Sequence, residues 1–129
     1  MKRMLFFPVV LLMLQAGLVW SESEIVDSDG DVGMYASAKI RAEGVAYYDA
    51  SNGDLKFYDF DDETTNVLAS DGDVGKYCSM AIWFGEDLNG DEYDMVGVSY
   101  YDETRGDLMF VSGVWGEFDD ITWNTPVEV

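Results

Sequence analysis

The chain has 129 residues, enough for one domain, with 48% hydrophobic and 15% aromatic residues. Its 26 acidic and seven basic residues give a net charge of −19, which disfavours nucleic acid and anionic lipid as partners and suits cations, basic partners or a salty medium. It has no histidine and one cysteine, Cys78, so an intramolecular disulfide, a zinc site and Ser-His-Asp chemistry are excluded.

Residues 1–21 read as a secretory signal peptide. Lys2 and Arg3 open it, an apolar run from Leu5 extends to Trp20, and Ser21 is a suitable residue before a cut. The alternative is an uncleaved anchor, although the run is shorter than the ~20 residues that span a bilayer. Cleavage implies a secreted or periplasmic protein with no stable membrane span.

The rest divides into two similar units, 22–70 and 71–129. Asp29-Gly30-Asp31-Val32-Gly33-Met34-Tyr35-Ala36-Ser37 returns as Asp71-Gly72-Asp73-Val74-Gly75-Lys76-Tyr77-Cys78-Ser79, identical at seven of nine positions. Gly44-Val45-Ala46-Tyr47-Tyr48-Asp49-Ala50-Ser51-Asn52-Gly53-Asp54-Leu55-Lys56-Phe57 returns as Gly97-Val98-Ser99-Tyr100-Tyr101-Asp102-Glu103-Thr104-Arg105-Gly106-Asp107-Leu108-Met109-Phe110, identical at nine of 14. The first block recurs at an offset of 42 and the second at 53. A period of about 40–50 residues with several short strands is that of propeller blades.

Four strands are expected in each unit, near 35–40, 45–49, 55–60 and 66–69, then near 77–84, 95–102, 108–112 and 121–124. Gly53 and Gly106 stand where a hairpin demands positive φ. Parity puts Ala36, Ala38 and Ile40 with Cys78, Met80 and Ile82 on an apolar face, and Leu55 and Phe57 with Leu108 and Phe110 likewise. The alternate positions Lys56 and Met109 read as a less buried face. Cys78 reads as a small buried residue, and Asp49 and Asp102 as caps of their own turns. Residues 125–129 read as the place where a third unit should begin. The fold class is therefore all-β: two tandem four-stranded antiparallel blade-like units of a β-propeller, a partial propeller. Exposed sheet edges should invite self-association.

The Asp-Gly-Asp-Val-Gly-x-Tyr-x-Ser and Tyr-Tyr-Asp-x-x-x-Gly-Asp-Leu-x-Phe patterns resemble the repeats of secreted bacterial and archaeal β-propeller proteins of the sialidase-like fold superfamily. That family's marker, Ser-x-Asp-x-Gly-x-Thr-Trp, survives in part around Asp29-Gly30-Asp31-Val32-Gly33. Sialidase chemistry needs an arginine cluster; beyond the leader only Arg41 and Arg105 remain, so that activity is not expected. Asp87-Leu88-Asn89-Gly90-Asp91-Glu92-Tyr93-Asp94 is similar to the calcium loop of FG-GAP-type repeats. The resemblance implies a weak Ca²⁺ site with Asp87, Asn89 and Asp91 as ligands and Asp94 in place of the closing carboxylate. Glu92 stands where that loop has glycine, and the other reading is an Asn-Gly hairpin turn with a solvated acidic tip.

The expected function is a secreted non-catalytic propeller-repeat module acting in binding or assembly, on a protein or glycan ligand or on itself, either alone or as a fragment of a longer propeller. The alternatives are a glycoside hydrolase-like fragment, since paired carboxylates do that chemistry, and a calcium-stabilised extracellular module.

Overall fold

A computed structural model describes residues 23–116 and 120–129; the leader expected at 1–21 lies outside them. The described chain is all-β, in two antiparallel sheets of four and five strands. The first holds β1 (Val32–Lys39), β2 (Gly44–Asp49), β3 (Asp54–Asp59) and β4 (Thr64–Ala69) in sequential order. The second holds β5 (Val74–Glu86), β6 (Glu92–Asp102), β7 (Asp107–Trp115) and β8 (Ile121–Trp123), with β9 (Val127–Glu128) also on β7. β8 pairs with residues 113–115 and β9 with Met109 and Phe110, so the two together act as an interrupted fourth strand. Val127–Glu128, read from sequence as the approach to a third unit, thus belongs to the second sheet.

The repeated blocks fold alike. Asp49 faces Asp54 across the β2–β3 hairpin and Asp102 faces Asp107 across the β6–β7 hairpin. Gly53 and Gly106 take φ of +74° and +79°, and each donates its N–H to the carbonyl of the aspartate that ends the preceding strand, at 2.8 Å. Such a φ costs glycine nothing and any other residue strain. The edge strands share an irregularity as well. Registers shift on either side of Met34 and of Lys76, and the following Tyr35 and Tyr77 take left-handed φ of 53° and 55°. A bulge that bends the strand at the same point in both units is a property of the block, not of its surroundings.

The sheets stack front to back. The front of the first sheet presents Ala46, Tyr48, Leu55 and Phe57, which strand parity places together. It packs on the back of the second sheet, where Met80, Val96, Val98 and Val111 share a face. All of these but Tyr48 form one buried core with Val74 and Cys78. Phe57 meets the ring of Trp123 at 5.1 Å, and the Val74 N–H donates to the Gly53 carbonyl at 2.9 Å. Cys78 is buried here, its Sγ 2.7 Å from the Tyr35 carbonyl and 3.5 Å from that of Ala46, and burial pushes its thiol up to about 11.

Three burial expectations change. Ala36 and Ala38, expected on an apolar face, are exposed because they lie on the back of the first sheet, whereas Cys78 and Met80 at the matching positions are buried between the sheets. Met109 lies on the covered back of the second sheet and packs against the core. Leu108, aligned with Leu55, is 54% exposed where Leu55 is fully buried. Parity assigns the faces correctly in both sheets; which face is covered depends on the neighbour, and each sheet has a different one.

Candidate functional site

The acidic loop occupies the tip between β5 and β6, lengthened by the residues that separate the two repeat offsets. Asp87 ties up its own carboxylate. Its Oδ1 accepts the backbone N–H groups of Asn89 at 2.8 Å and Asp91 at 2.9 Å, and its Oδ2 accepts the Asn89 amide at 3.2 Å. The backbone donors of Asp91 and Asn89 hold this carboxyl below the usual range, and Gly90 takes φ of +85° to close the turn. Asp94 lies on β6 and turns to Arg41, 3.8 Å away. The four residues expected to hold calcium therefore divide between a self-capped turn and an ion pair, and among the described residues no group of three or more carboxylates is placed to hold a metal.

The lengthened hairpin instead builds a cleft. Residues from the β1–β2 connection, Arg41 and Glu43, face Phe84, Tyr93 and Asp94 of the hairpin and Trp115 at the end of β7, around about 610 Å³. The Arg41 guanidinium lies 4.8 Å over the Phe84 ring, a cation–π contact. Aromatic walls beside carboxylates and one guanidinium suit a hydroxylated ligand more than an apolar one.

The buried carboxylates are committed elsewhere. Asp49 Oδ1 accepts the N–H of Ser51 at 2.9 Å and of Asn52 at 3.2 Å, and its Oδ2 meets Lys56 Nζ at 2.7 Å. Asp102 accepts the Arg105 N–H at 3.0 Å and pairs with its guanidinium at 2.7 Å. Lys56 also reaches Asp27 at 3.4 Å, and Arg105 reaches Asp71 at 2.5 Å. The first triad thus latches Asp27, just ahead of its Asp-Gly-Asp-Val-Gly block, and the second latches Asp71, the first residue of its own block, to a β-hairpin. Sequence reasoning found the capping aspartates and missed the cations. Their signal is the exchange of Asn52 and Lys56 for Arg105 and Met109, which moves one positive charge from strand to turn. Asp59 caps the next turn in the same way, through the Asp61 N–H at 2.9 Å.

Burial by itself would raise the Asp49 carboxyl, but the hydrogen bonds from Lys56 and Asn52 outweigh it and hold it at about 2. A carboxyl held below its unfolded value of about 3.9 contributes stability that is complete above that pH and lost as pH falls through about 2. Wild type is therefore expected to lose about 2 kcal/mol to this group between pH 4 and 2. Urea melts of wild type and Asp49→Asn over that range check it: the gap between them should narrow on acidification, and a constant gap refutes the assignment.

The remaining feature is the open front of the second sheet, where Ser99, Tyr101, Leu108 and Phe110 occupy the positions of Ala46, Tyr48, Leu55 and Phe57. Trp83 leans on Phe110 with ring centroids 6.1 Å apart and covers part of it; Leu108 and Tyr77 stay 54% and 66% exposed. No described helix is long and apolar enough to cross a membrane. Comparisons with protein-family models, with curated proteins and with solved structures each return no match to this chain.

Proposed function

We propose that the chain is a secreted, non-catalytic module of β-propeller-type repeats that works by association, presenting the front of its second sheet to a partner. One observation carries this reading: Leu55 is fully buried in the first sheet, and Leu108 at the matching position of the second is 54% exposed. An apolar sheet face is stable when another layer covers it, and an uncovered one marks an interaction site. The blade reading is supported by the repeated blocks and by the sequential antiparallel order within each sheet. The secreted reading rests on the leader sequence. The enzyme alternative has less support, because the buried carboxylates Asp49, Asp59 and Asp102 serve turn amides and cations.

The test is a photo-crosslinker. Benzoylphenylalanine at Leu108 should give a covalent adduct in the secreting host, and the same group at Asp62, an exposed turn position away from this face, should not. Equal yields at the two positions refute the reading. Turnover of a fluorogenic glycoside that is lost in Asp94→Asn would also refute it, in favour of the enzyme.

A further inference from the structure

The contact between the two sheets joins two different surfaces, and the repeat carries each of them twice. The front surface of the first sheet (Tyr48, Gly53, Leu55) receives the block Asp73-Val74-Gly75 at the back of the second. Val74 donates its N–H to the Gly53 carbonyl, the Tyr48 hydroxyl donates to Asp73, and Lys76 lies 5.4 Å from the centre of the Tyr48 ring. The front surface recurs unused as Tyr101, Gly106 and Leu108. The back block recurs unused as Asp31-Val32-Gly33, followed by Met34 in the place of Lys76.

The glycines record which halves are engaged. A Cβ on Gly75 would meet Leu55 Cα at 2.8 Å and its Cβ at 2.9 Å, whereas one on Gly33 would meet nothing within 4 Å. A Cβ on Gly53 would meet the Gly72 carbonyl oxygen at 3.3 Å and Asp73 Cα at 3.4 Å; one on Gly106 would meet nothing within 4 Å. The two idle halves are the two sides of one contact already made inside the chain. The tyrosines repeat this: Tyr35 packs on Tyr77 with centroids 4.5 Å apart, yet Tyr77 remains 66% exposed.

We propose that the front of the second sheet is the docking site for the first sheet of another copy of this chain, head to tail, with Asp31-Val32-Gly33 of one copy seated on Tyr101, Gly106 and Leu108 of the next. The proposal rests on the association reading above and names its partner. It extends the internal interface by one repeat: Asp-Val-Gly on one side and Tyr, Gly and Leu on the other recur, while Met34, Ala38 and Tyr58 stand where the internal contact has Lys76, Met80 and Val111. Asp27 reaches the Tyr47 hydroxyl and Lys56 in each chain. Val67 and Ala69 of the first sheet line a crevice with Tyr100 and Met109 at the internal contact. Because the joined surfaces differ, the association closes into a ring or continues open-ended rather than stopping at a symmetric pair. The net charge of −19 opposes it, so screening by salt strengthens it.

Sedimentation or light scattering of the full chain tests this. Wild type should exceed the monomer mass as concentration rises, and more so when salt is raised from about 0.02 to about 0.5 M. Leu108→Glu spoils only the front and Met34→Glu only the back; these residues are 54% and 42% exposed. Each variant alone should remain monomeric, with unchanged circular dichroism. An equimolar mixture should double in mass and stop there, because one intact front meets one intact back. Wild type that stays monomeric at high salt and high concentration overturns the proposal, as does a mixture that stays monomeric while wild type associates. The crosslinking result separates the two readings: a monomeric wild type with a different protein captured at position 108 removes the second copy and leaves association standing. Absence of any adduct removes both.

Discussion

Phe57→Ala is expected to lower the free energy of unfolding by about 3–5 kcal/mol, the usual cost of truncating a phenylalanine sealed in a core. Phe110→Ala, at the matching position of the second unit, is expected to cost only about 1–2 kcal/mol, in proportion to its smaller buried area. Phe57 is fully buried between the sheets against Trp123. Phe110 is half-buried under Trp83 on the open front. A domain of this size has about 5–15 kcal/mol in total, so the first substitution removes a large share of it. Chemical denaturation at a protein concentration low enough to keep the chain monomeric checks the pair. Equal losses would mean that the two faces are equally covered, and the front-to-back stacking would be wrong.

Gly75→Ala should be nearly as damaging, at about 3–5 kcal/mol, and Gly33→Ala should cost about 1–2 kcal/mol. Both glycines hold left-handed φ, +105° and +89°, so alanine at either is strained by its backbone. Only at Gly75 does the new methyl also strike the Leu55 backbone, which is held between its partners Tyr48 and Ala69 on the neighbouring strands. The difference between the two variants, read from the same denaturant melts, isolates the contact between sheets from the shared conformational term. A difference near zero would place the Leu55 contact outside the energetics of the fold.

The repeat was legible because a block that must make the same bulge, turn and latch keeps the same residues wherever it stands. Gly53 and Gly106 could be read as left-handed turn positions, and Asp49 and Asp102 as caps, because a turn is decided within a few residues. The two-residue period put Leu55 and Leu108 on equivalent faces, as found. The loop at Asp87 was legible only as a choice between calcium and turn, since carboxylates spaced for a cation are also spaced for their own amides. The side-chain hydrogen bond from Asn89 and the pull of Arg41 on Asp94 appear only once the chain is folded.

The strands, their antiparallel hairpins, the parity of each face and the turn chemistry are properties of the sequence alone, because they depend on residues near one another along the chain. The tertiary structure decided which of two equivalent faces is covered, which cation serves each buried aspartate, and where the lengthened hairpin opens a cleft. Those outcomes depend on what lies across a gap of about 10 Å between layers, and no local pattern records the neighbour. Two nearly identical units come to differ because the first has the second against its front, whereas the front of the second remains open.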